Sequence, residues 1–429
     1  MTADEKLLEK IGTKKAVIGV IGLGYVGLPL ALLFARRGFV VHGFTRTPKT
    51  ISEINSGITE ISGLEKDLNR VLKNKHFSAH TIDDKQLLKC DIYIICVPTP
   101  VNPEKKPDLT SLKEVVKKLK QIGLKGKLVI NESTVAPFTT RDVFKNVAED
   151  FFLVCSPERV DPGVTTKTAE NIPKLLGARD KKSQKLGIRL YRHIMKKDLV
   201  VTGSMEAAEM SKMLENTYRA VNIALINEFA ILADKVDIDI MDVLNAAKTK
   251  WSFQAHNPGI GVGGHCIPVD PYYILELAEK NNLSLPVILT SLLQNESMPK
   301  YLLDKLLTVY KPGMRVLVYG IAYKKNVADI RESPVIEFCR LMTEHKIPFE
   351  VHEPLINSQT LKTLGLKEGA LSPVDIFIVG TDHRQILKDY KSAVTNNTFV
   401  LDGRNYFKKA VGKKVIGVGH TILKRRTKE

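Results

Sequence analysis

The chain has 429 residues, 44% of them hydrophobic and 26% charged, with a net charge of +17. At about 150 residues per domain, this length implies two or three domains, with the composition of an ordinary soluble globular protein. No apolar run approaches the ~20 residues of a membrane helix, the N-terminal MTADEKLLEKIGTKK lacks a signal core, and the lysines are dispersed apart from a terminal KRR, so membrane insertion, export and nucleic-acid binding are set aside.

In chain order, Ala16–Ile21 (AVIGVI) reads as a strand. GLGYVG follows, then a helical pattern, LPLALLFARRG, ending at Gly38, then a strand over Phe39–Phe44. Together these make a βαβ unit. Further strands are expected at Ile92–Val97, Lys127–Asn131 and Phe152–Cys155, with a helix across Leu109–Ile122. From Ser204, a plausible N-cap, some 30 residues run without Gly or Pro at helical spacing, and more helices are expected near Ile240–Lys248 and between Pro286 and Tyr310. Strands return at Arg315–Tyr319, Phe349–His352, Ile376–Val379 and Phe399–Asp402, with a helix over Pro334–His345. The expected fold is α/β: two Rossmann-like doubly wound domains joined by a long central helix and an all-α dimerisation domain. The divisions fall at 1–203, 204–309 and 310–429.

GLGYVG places Gly22, Gly24 and Gly27 in a GxGxxG pattern, after a strand and at the start of a helix. That context gives the pattern its meaning. Gly22 allows the tight turn, Gly24 lets the backbone approach a pyrophosphate, and Gly27 lets helix and strand pack closely; Tyr25 and Val26 complete the loop. An acidic residue normally ends the second strand and takes the ribose hydroxyls of NAD. Here Thr45 stands in that place, followed by Arg46 and Lys49. The cofactor expected is NAD, with NADP open because a threonine and an arginine could accept a 2′-phosphate.

The five cysteines, Cys90, Cys96, Cys155, Cys266 and Cys339, form no CxxC pair and no zinc spacing. They read as reduced thiols of a cytoplasmic protein, without a metal site. Cys96, Cys155 and Cys339 sit in apolar runs and read as core. Cys266, in GVGGHCIPVDP, could be a nucleophile, a ligand or a small buried residue. Lys212 and Asn216, four apart, share a face of the long helix.

The ordered set GLGYVGLPLA, VPTPVNPEKKPDLT, NESTVAP, SPERVDPG, SKMLENTYRAVNIALINE, GVGGHCIPVDPYYI and GIAYKKNVADIRESP resembles the UDP-glucose/GDP-mannose dehydrogenase family of nucleotide-sugar 6-dehydrogenases, from about Val17 to about Arg404. The resemblance implies two successive hydride transfers to a nicotinamide cofactor, which turn the C6 alcohol of a UDP-sugar into a carboxylate. It implies a homodimer built through the central helix. GGHC followed by VDPYY is most similar to the branch acting on UDP-N-acetylhexosamines. This implies UDP-N-acetylglucosamine ahead of UDP-N-acetylmannosamine, with UDP-glucose third. Relatives acting on UDP-glucose carry serine at His265 and typically lysine at Val269.

The same resemblance assigns roles. Cys266 is the nucleophile that holds the half-oxidised sugar as a thiohemiacetal and then a thioester, with flanking glycines such as Gly263 letting the backbone approach the sugar. Lys212 faces the C6 oxygen and Asn216 binds substrate or orders a water. Asp270 serves proton transfer; the plain alternative is a turn-forming aspartate before Pro271. Glu158 is a base for thioester hydrolysis or a positioning acid, against a loop ion pair with Arg159; Arg159 itself lies among the substrate residues. Thr134 holds a catalytic water and touches the cofactor, against a helix cap, and Thr99 lines the cofactor pocket. His265 contacts the acetamido group or packs the loop. Tyr323, Lys324 and Arg331 reach substrate or cofactor phosphates, against exposed cations or an Asp329–Arg331 ion pair. Two other classes stay open: a two-electron hydroxyacid dehydrogenase, which needs no thiol, and a non-catalytic nucleotide-sugar binder.

Overall fold

A computed structural model describes residues 1–61, 63–148, 150–160, 168–407 and 414–423. The end of SPERVDPG (161–163) and the terminal KRR lie outside the described residues. The chain divides into two compact units. The first comprises Met1–Glu215 and Tyr272–Asn281, the second Asn216–Pro271 and Asn282–Glu429. Among the described residues no helix is long and apolar enough to cross a membrane.

Among the described residues the first unit is built on eight strands: β1 Val17–Ile21, β2 Val40–Phe44, β3 Phe77–His80, β4 Ile92–Ile95, β5 Leu128–Asn131, β6 Phe152–Cys155, β7 Lys174–Ala178 and β8 Leu199–Val201. They lie in the order β3-β2-β1-β4-β5-β6-β7-β8. Every pairing is parallel except β6 with β7. The central strands are unbroken apolar runs because both faces of the sheet are covered. Ile92 and Ile94 of β4 enter one core with Leu28 and Phe34 of the Gly27–Arg36 helix and Leu186 and Leu190 of the Lys181–Tyr191 helix. Tyr93 and Ile95 enter the opposite core with Leu112, Val116 and Leu119 of the Thr110–Ile122 helix. Burying each such side chain stabilises by about 1.5–3 kcal/mol, and the alternation fixes which strand ends carry functional groups.

The second unit repeats the plan with β9 Val316–Tyr319, β10 Glu350–His352, β11 Ile376–Val379, β12 Phe399–Asp402, β13 Lys414–Gly417 and β14 His420–Leu423, in the order β10-β9-β11-β12-β13-β14. All pairings are parallel except β13 with β14. Val316, Val318, Ile376 and Ile378 pack on one side with Met298, Leu302 and Phe338. Leu317, Tyr319, Phe377 and Val379 pack on the other with Ile386 and Tyr390.

The long helix spans Met205–Lys235, 31 residues. Ser204 Oγ accepts the Ala207 N–H at 3.1 Å, so the expected cap is present. Two elements that the sequence pattern did not disclose bear on function: the β7 strand, and the Asp270–Lys280 helix directly after the cysteine loop. Cys90, Cys155 and Cys339 are buried, whereas Cys96 and Cys266 are partly exposed, and all five are free thiols.

Candidate active site

The glycine loop joins β1 to the Gly27–Arg36 helix. Gly22 has φ of +100°, and a Cβ there would stand 2.5 Å from the Cys96 carbonyl oxygen, so only glycine makes this turn. A Cβ on Gly27 would collide with the Gly22 carbonyl. Beside Gly24 there is open space, and the first turn of the helix carries no acidic side chain. A small concave backbone facing a helix N-terminus suits a pyrophosphate. Thr45 follows β2 and is tied by its N–H to the His80 carbonyl at 3.0 Å. Arg46 is exposed and paired: Nη1 lies 3.0 Å from Glu114 Oε2, and Nη2 donates to Ser111 Oγ at 3.3 Å.

The ends of β5 and β6 carry the acidic groups of the first unit. Thr99 Oγ1 donates to the Thr134 carbonyl at 2.6 Å. Thr134 is not a cap of the next helix, Thr139–Phe144, whose N-cap position is Phe138. Tyr273 anchors the Thr99 loop through a 2.7 Å hydrogen bond from its hydroxyl to the Thr99 carbonyl. Glu158 does not form the loop ion pair with Arg159. Its Oε1 accepts the N–H groups of Arg159 and Val160 at 2.7 and 2.8 Å, and its Oε2 lies 3.0 Å from Lys174 Nζ. The Arg159 guanidinium is committed elsewhere, to Glu215 at 2.7 Å and the Pro173 carbonyl at 2.8 Å. Lys174 also lies 2.7 Å from Glu132 Oε2, while the Tyr191 hydroxyl bonds Glu132 Oε1. Burial works against ionising Glu158, yet Lys174 and the two backbone donors hold its carboxyl below the usual range. Burial pushes Glu132 up to about 7 despite Lys174.

Lys212 is only 8% exposed, which sets aside a solvated surface charge. Asn216, one turn later on the same helix, is 4% exposed and donates from Nδ2 to Asp270 Oδ2 at 2.5 Å. Asp270 opens its helix rather than standing in an isolated turn, and its N–H donates to the Cys266 carbonyl at 2.8 Å. The glycines before Cys266 are packed closely by another loop. A Cβ on Gly263 would stand 2.6 Å from the Glu332 carbonyl and 2.7 Å from Tyr323 Cβ, and one on Gly264 would stand 2.8 Å from the Tyr323 ring. The space a side chain would need there is filled by the loop after β9, so the close packing of the two loops requires glycine at both positions. Further back, Gly259 N–H donates to Asn227 Oδ1 at 3.1 Å, Asn227 Nδ2 to Asn295 Oδ1 at 3.0 Å, and Asn295 Nδ2 to the Ala220 carbonyl at 2.9 Å. This buried asparagine chain holds the loop on the two helices beneath it.

The loop after β9 is built with equal care. Glu353 Oε2 accepts the N–H groups of Ile321 and Ala322, and His383 Nδ1 accepts the Asn326 N–H at 3.0 Å. Arg404 Nη2 donates to the Tyr323 carbonyl at 3.2 Å. Tyr323 and Lys324 are partly exposed within this frame. Arg331 grips both carboxylate oxygens of Asp329 at 2.6–3.1 Å, so the ion pair is present, with the arginine side chain half exposed. Burial raises the Asp329 carboxyl, but Arg331 and, less strongly, His265 bring it below its ordinary range. His265 is partly exposed, with its Nδ1 buried. Among the described residues no group of three or more His, Cys, Asp or Glu could hold a metal ion.

Lys174, Glu132, Tyr191, Asn227, Asn295, Glu353 and His383 were not legible as site residues. The available hints were slight: a lysine opening an apolar strand (KLLGA), and a glutamate closing one (VINE).

A glycine turn fitted to a pyrophosphate, on a doubly wound sheet followed by a second α/β unit, defines a dinucleotide-binding enzyme fold. The chain belongs to the UDP-glucose/GDP-mannose dehydrogenase family. Residues 16–195 match its NAD binding domain, 206–297 its central domain and 317–409 its UDP binding domain. It is 36% identical over 376 residues to the UDP-N-acetyl-D-glucosamine 6-dehydrogenase of Pseudomonas aeruginosa, covering 84% of this chain and 87% of that one. It is 33% identical over 419 residues to the UDP-N-acetyl-D-mannosamine dehydrogenase of Methanocaldococcus jannaschii, covering 95% and 96%. The structure of a UDP-D-ManNAc dehydrogenase from Pyrococcus horikoshii superposes with a TM-score of 0.84 at 30% identity, covering 94% of this chain and 99% of that one. The protein is thus an NAD-dependent oxidoreductase of the nucleotide-sugar dehydrogenase family.

Proposed function

We propose that the protein oxidises C6 of a UDP-N-acetylhexosamine, UDP-N-acetylglucosamine in the first place, to the uronic acid for glycan synthesis in the cytoplasm. UDP-N-acetylmannosamine is the alternative substrate, supported by the similarity to UDP-N-acetyl-D-mannosamine dehydrogenases. NAD supplies the hydride acceptor, held at Gly22, Gly24, Tyr25, Val26 and Gly27 with Thr45, Thr99, Thr134 and Arg331. The alcohol loses one hydride and one proton to give an aldehyde. Cys266 Sγ then adds to the aldehyde carbon, and the thiohemiacetal loses a second hydride to give a thioester. Water cleaves the thioester, releasing the acid and restoring the thiol. Lys212 stabilises negative charge on the C6 oxygen, Asn216 binds substrate or orders a water, and Asp270 serves proton transfer. Glu158 aligns the water. Arg159, Gly263, His265, Tyr323 and Lys324 shape the nucleotide-sugar pocket, Arg159 through its hold on Glu215.

The observation that carries this reading is the double attachment of Asp270, by its N–H to the Cys266 carbonyl and by its carboxylate to Asn216. A cysteine fixed this way beside a buried acid–amide pair suits a covalent step better than a plain two-electron oxidation. The test is to count reduced cofactor per sugar consumed, with UDP-N-acetylglucosamine, UDP-N-acetylmannosamine and UDP-glucose and with each cofactor. A ratio of two is expected; a ratio of one, or turnover undiminished in Cys266→Ala, rules the reading out.

Residues 204–309 supply the dimer contact in this proposal. On the Met205–Lys235 helix, Tyr218, Leu225, Phe229 and Leu232, with Val236 just past its end, are each 44–57% exposed. Their spacing marks an apolar stripe. Val287 and Leu293 of the Pro286–Leu307 helix are also exposed. A run of this kind on a soluble protein calls for a partner.

A further inference from the structure

One ammonium and two carboxyls share a buried site in the first unit, and their hydrogen bonds are unequal. Lys174 Nζ bridges Glu132 Oε2 at 2.7 Å and Glu158 Oε2 at 3.0 Å, with side-chain exposures of 4%, 0% and 9% respectively. One cation cannot neutralise two carboxylates. Keeping both ionised would bury net negative charge at a cost of several kcal/mol. The cluster therefore holds one extra proton near neutral pH, and the surrounding bonds decide where it sits. Glu158 Oε1 meets two backbone N–H groups, those of Arg159 and Val160, which can only donate. Glu132 Oε1 meets the Tyr191 hydroxyl, which can turn to accept. The Cys96 thiol also feels the Glu132 charge, and Ser156 acts on the Tyr191 hydroxyl. Both thiol and hydroxyl remain protonated, because desolvation of the sulfur in the partly exposed Cys96 and of the buried Tyr191 phenol raises both well above their ordinary values. The directions at the two carboxyls agree with the geometry: Glu132 is pushed up to about 7 and Glu158 is held down.

We propose that Lys174 is a positioning residue that fixes Glu158 as an ionised, immobile hydrogen-bond acceptor, while Glu132 carries the neutralising proton. Glu158 then aligns water without itself titrating, and within this cluster the carboxyl that takes up and releases a proton is Glu132 behind it. The part concerning water rests on the function proposed above; the division of charge does not.

Two measurements on the full chain separate these. The first is infrared spectroscopy of the protonated-carboxyl stretch, slightly below neutral pH. The wild type is expected to show a buried protonated carboxyl that Glu132→Gln removes and Glu158→Gln keeps. Lys174→Met is expected to add a second such band as Glu158 takes up a proton. No band, or a band lost in Glu158→Gln but not in Glu132→Gln, overturns the proposal. The second is the pH profile of NADH formation from UDP-N-acetylglucosamine and UDP-N-acetylmannosamine. Lys174→Met should lower kcat about 100-fold and move the acid limb upward by about one unit or more, with KM little changed. Lys174→Arg, which keeps the charge, should restore most of both. A lowered kcat with an unmoved acid limb means that Lys174 only supports the fold, and overturns its assignment. If the wild type makes no NADH from either sugar, the proposed function fails, while the infrared comparison still decides the charges.

Discussion

Asn216 and Asp270 lie 54 positions apart in sequence, yet their side chains meet at 2.5 Å in a buried hydrogen bond. Both residues are less than 5% exposed. A buried polar group that loses its partner costs about 1–3 kcal/mol, so Asn216→Ala should lower the urea midpoint by that equivalent. Asp270→Asn keeps the shape but removes the carboxylate. It should reduce NADH formation about 100-fold or more while leaving NAD binding intact. Wild-type turnover in Asp270→Asn would remove this pair from the chemistry.

Glu209 makes stability depend on pH. Its carboxylate accepts the N–H groups of Phe138 and Thr140 at 2.8 and 2.9 Å. Phe138 is held with φ of +74°. Burial raises the Glu209 carboxyl from 4.5 to about 7, only partly offset by Thr140 and Phe138. Because the folded value lies above the unfolded one, the folded state retains a proton that the unfolded chain releases. Stability from this group is full below about 4.5 and is lost as the pH climbs to about 7. Relative to Glu209→Gln, the wild type should lose on the order of 3 kcal/mol across that window. Urea midpoints of both proteins across the window check it; parallel curves would mean that Glu209 is ionised throughout.

How much of this could be read from the chain alone depends on the range of the interaction. The βαβ unit was legible because a strand, a glycine turn and a helix lie within thirty residues, and β6 and β11 match the expected bounds residue for residue. The Ser204 cap was legible for the same reason. β7 was missed because it starts with a lysine, a residue that normally marks a surface. That lysine is tolerated only because Glu132 and Glu158 meet it from 42 and 16 residues away. Gly263 and Gly264 show the opposite failure: their presence was legible, but the neighbour that requires them, Tyr323, lies about sixty residues downstream.

In the proposed function, Arg46 is the residue on which a preference between NAD and NADP would turn. Its guanidinium is held by Glu114, 68 residues away, in an exposed ion pair of 3.0 Å. Such pairs contribute about 0.2–1 kcal/mol. Releasing the arginine should favour a 2′-phosphate by a comparable amount. Glu114→Ala is therefore expected to raise kcat/KM with NADP relative to NAD about two- to fivefold, with little change in the NAD value itself. Steady-state rates with both cofactors read this directly, and an unchanged ratio would show that Arg46 does not face the ribose.

Phe229 and Leu232 lie at the centre of the exposed apolar stripe, 51% and 57% exposed, with Leu225 and Val236 on either side. Leaving four such side chains in water is unfavourable by about 25 cal/mol for each Å² of apolar surface, and a second copy of the same helix is the partner the proposed dimer supplies. A symmetric contact places each substitution twice in one interface. Phe229→Glu with Leu232→Glu would set four carboxylates there, repelling one another in a desolvated seam. The doubly substituted protein should sediment as a monomer at concentrations where the wild type is a dimer, with its circular dichroism unchanged because neither side chain belongs to a core. A wild type that sediments as a monomer at micromolar concentration, or a double variant that stays dimeric, would show that this stripe is covered by something other than a second copy.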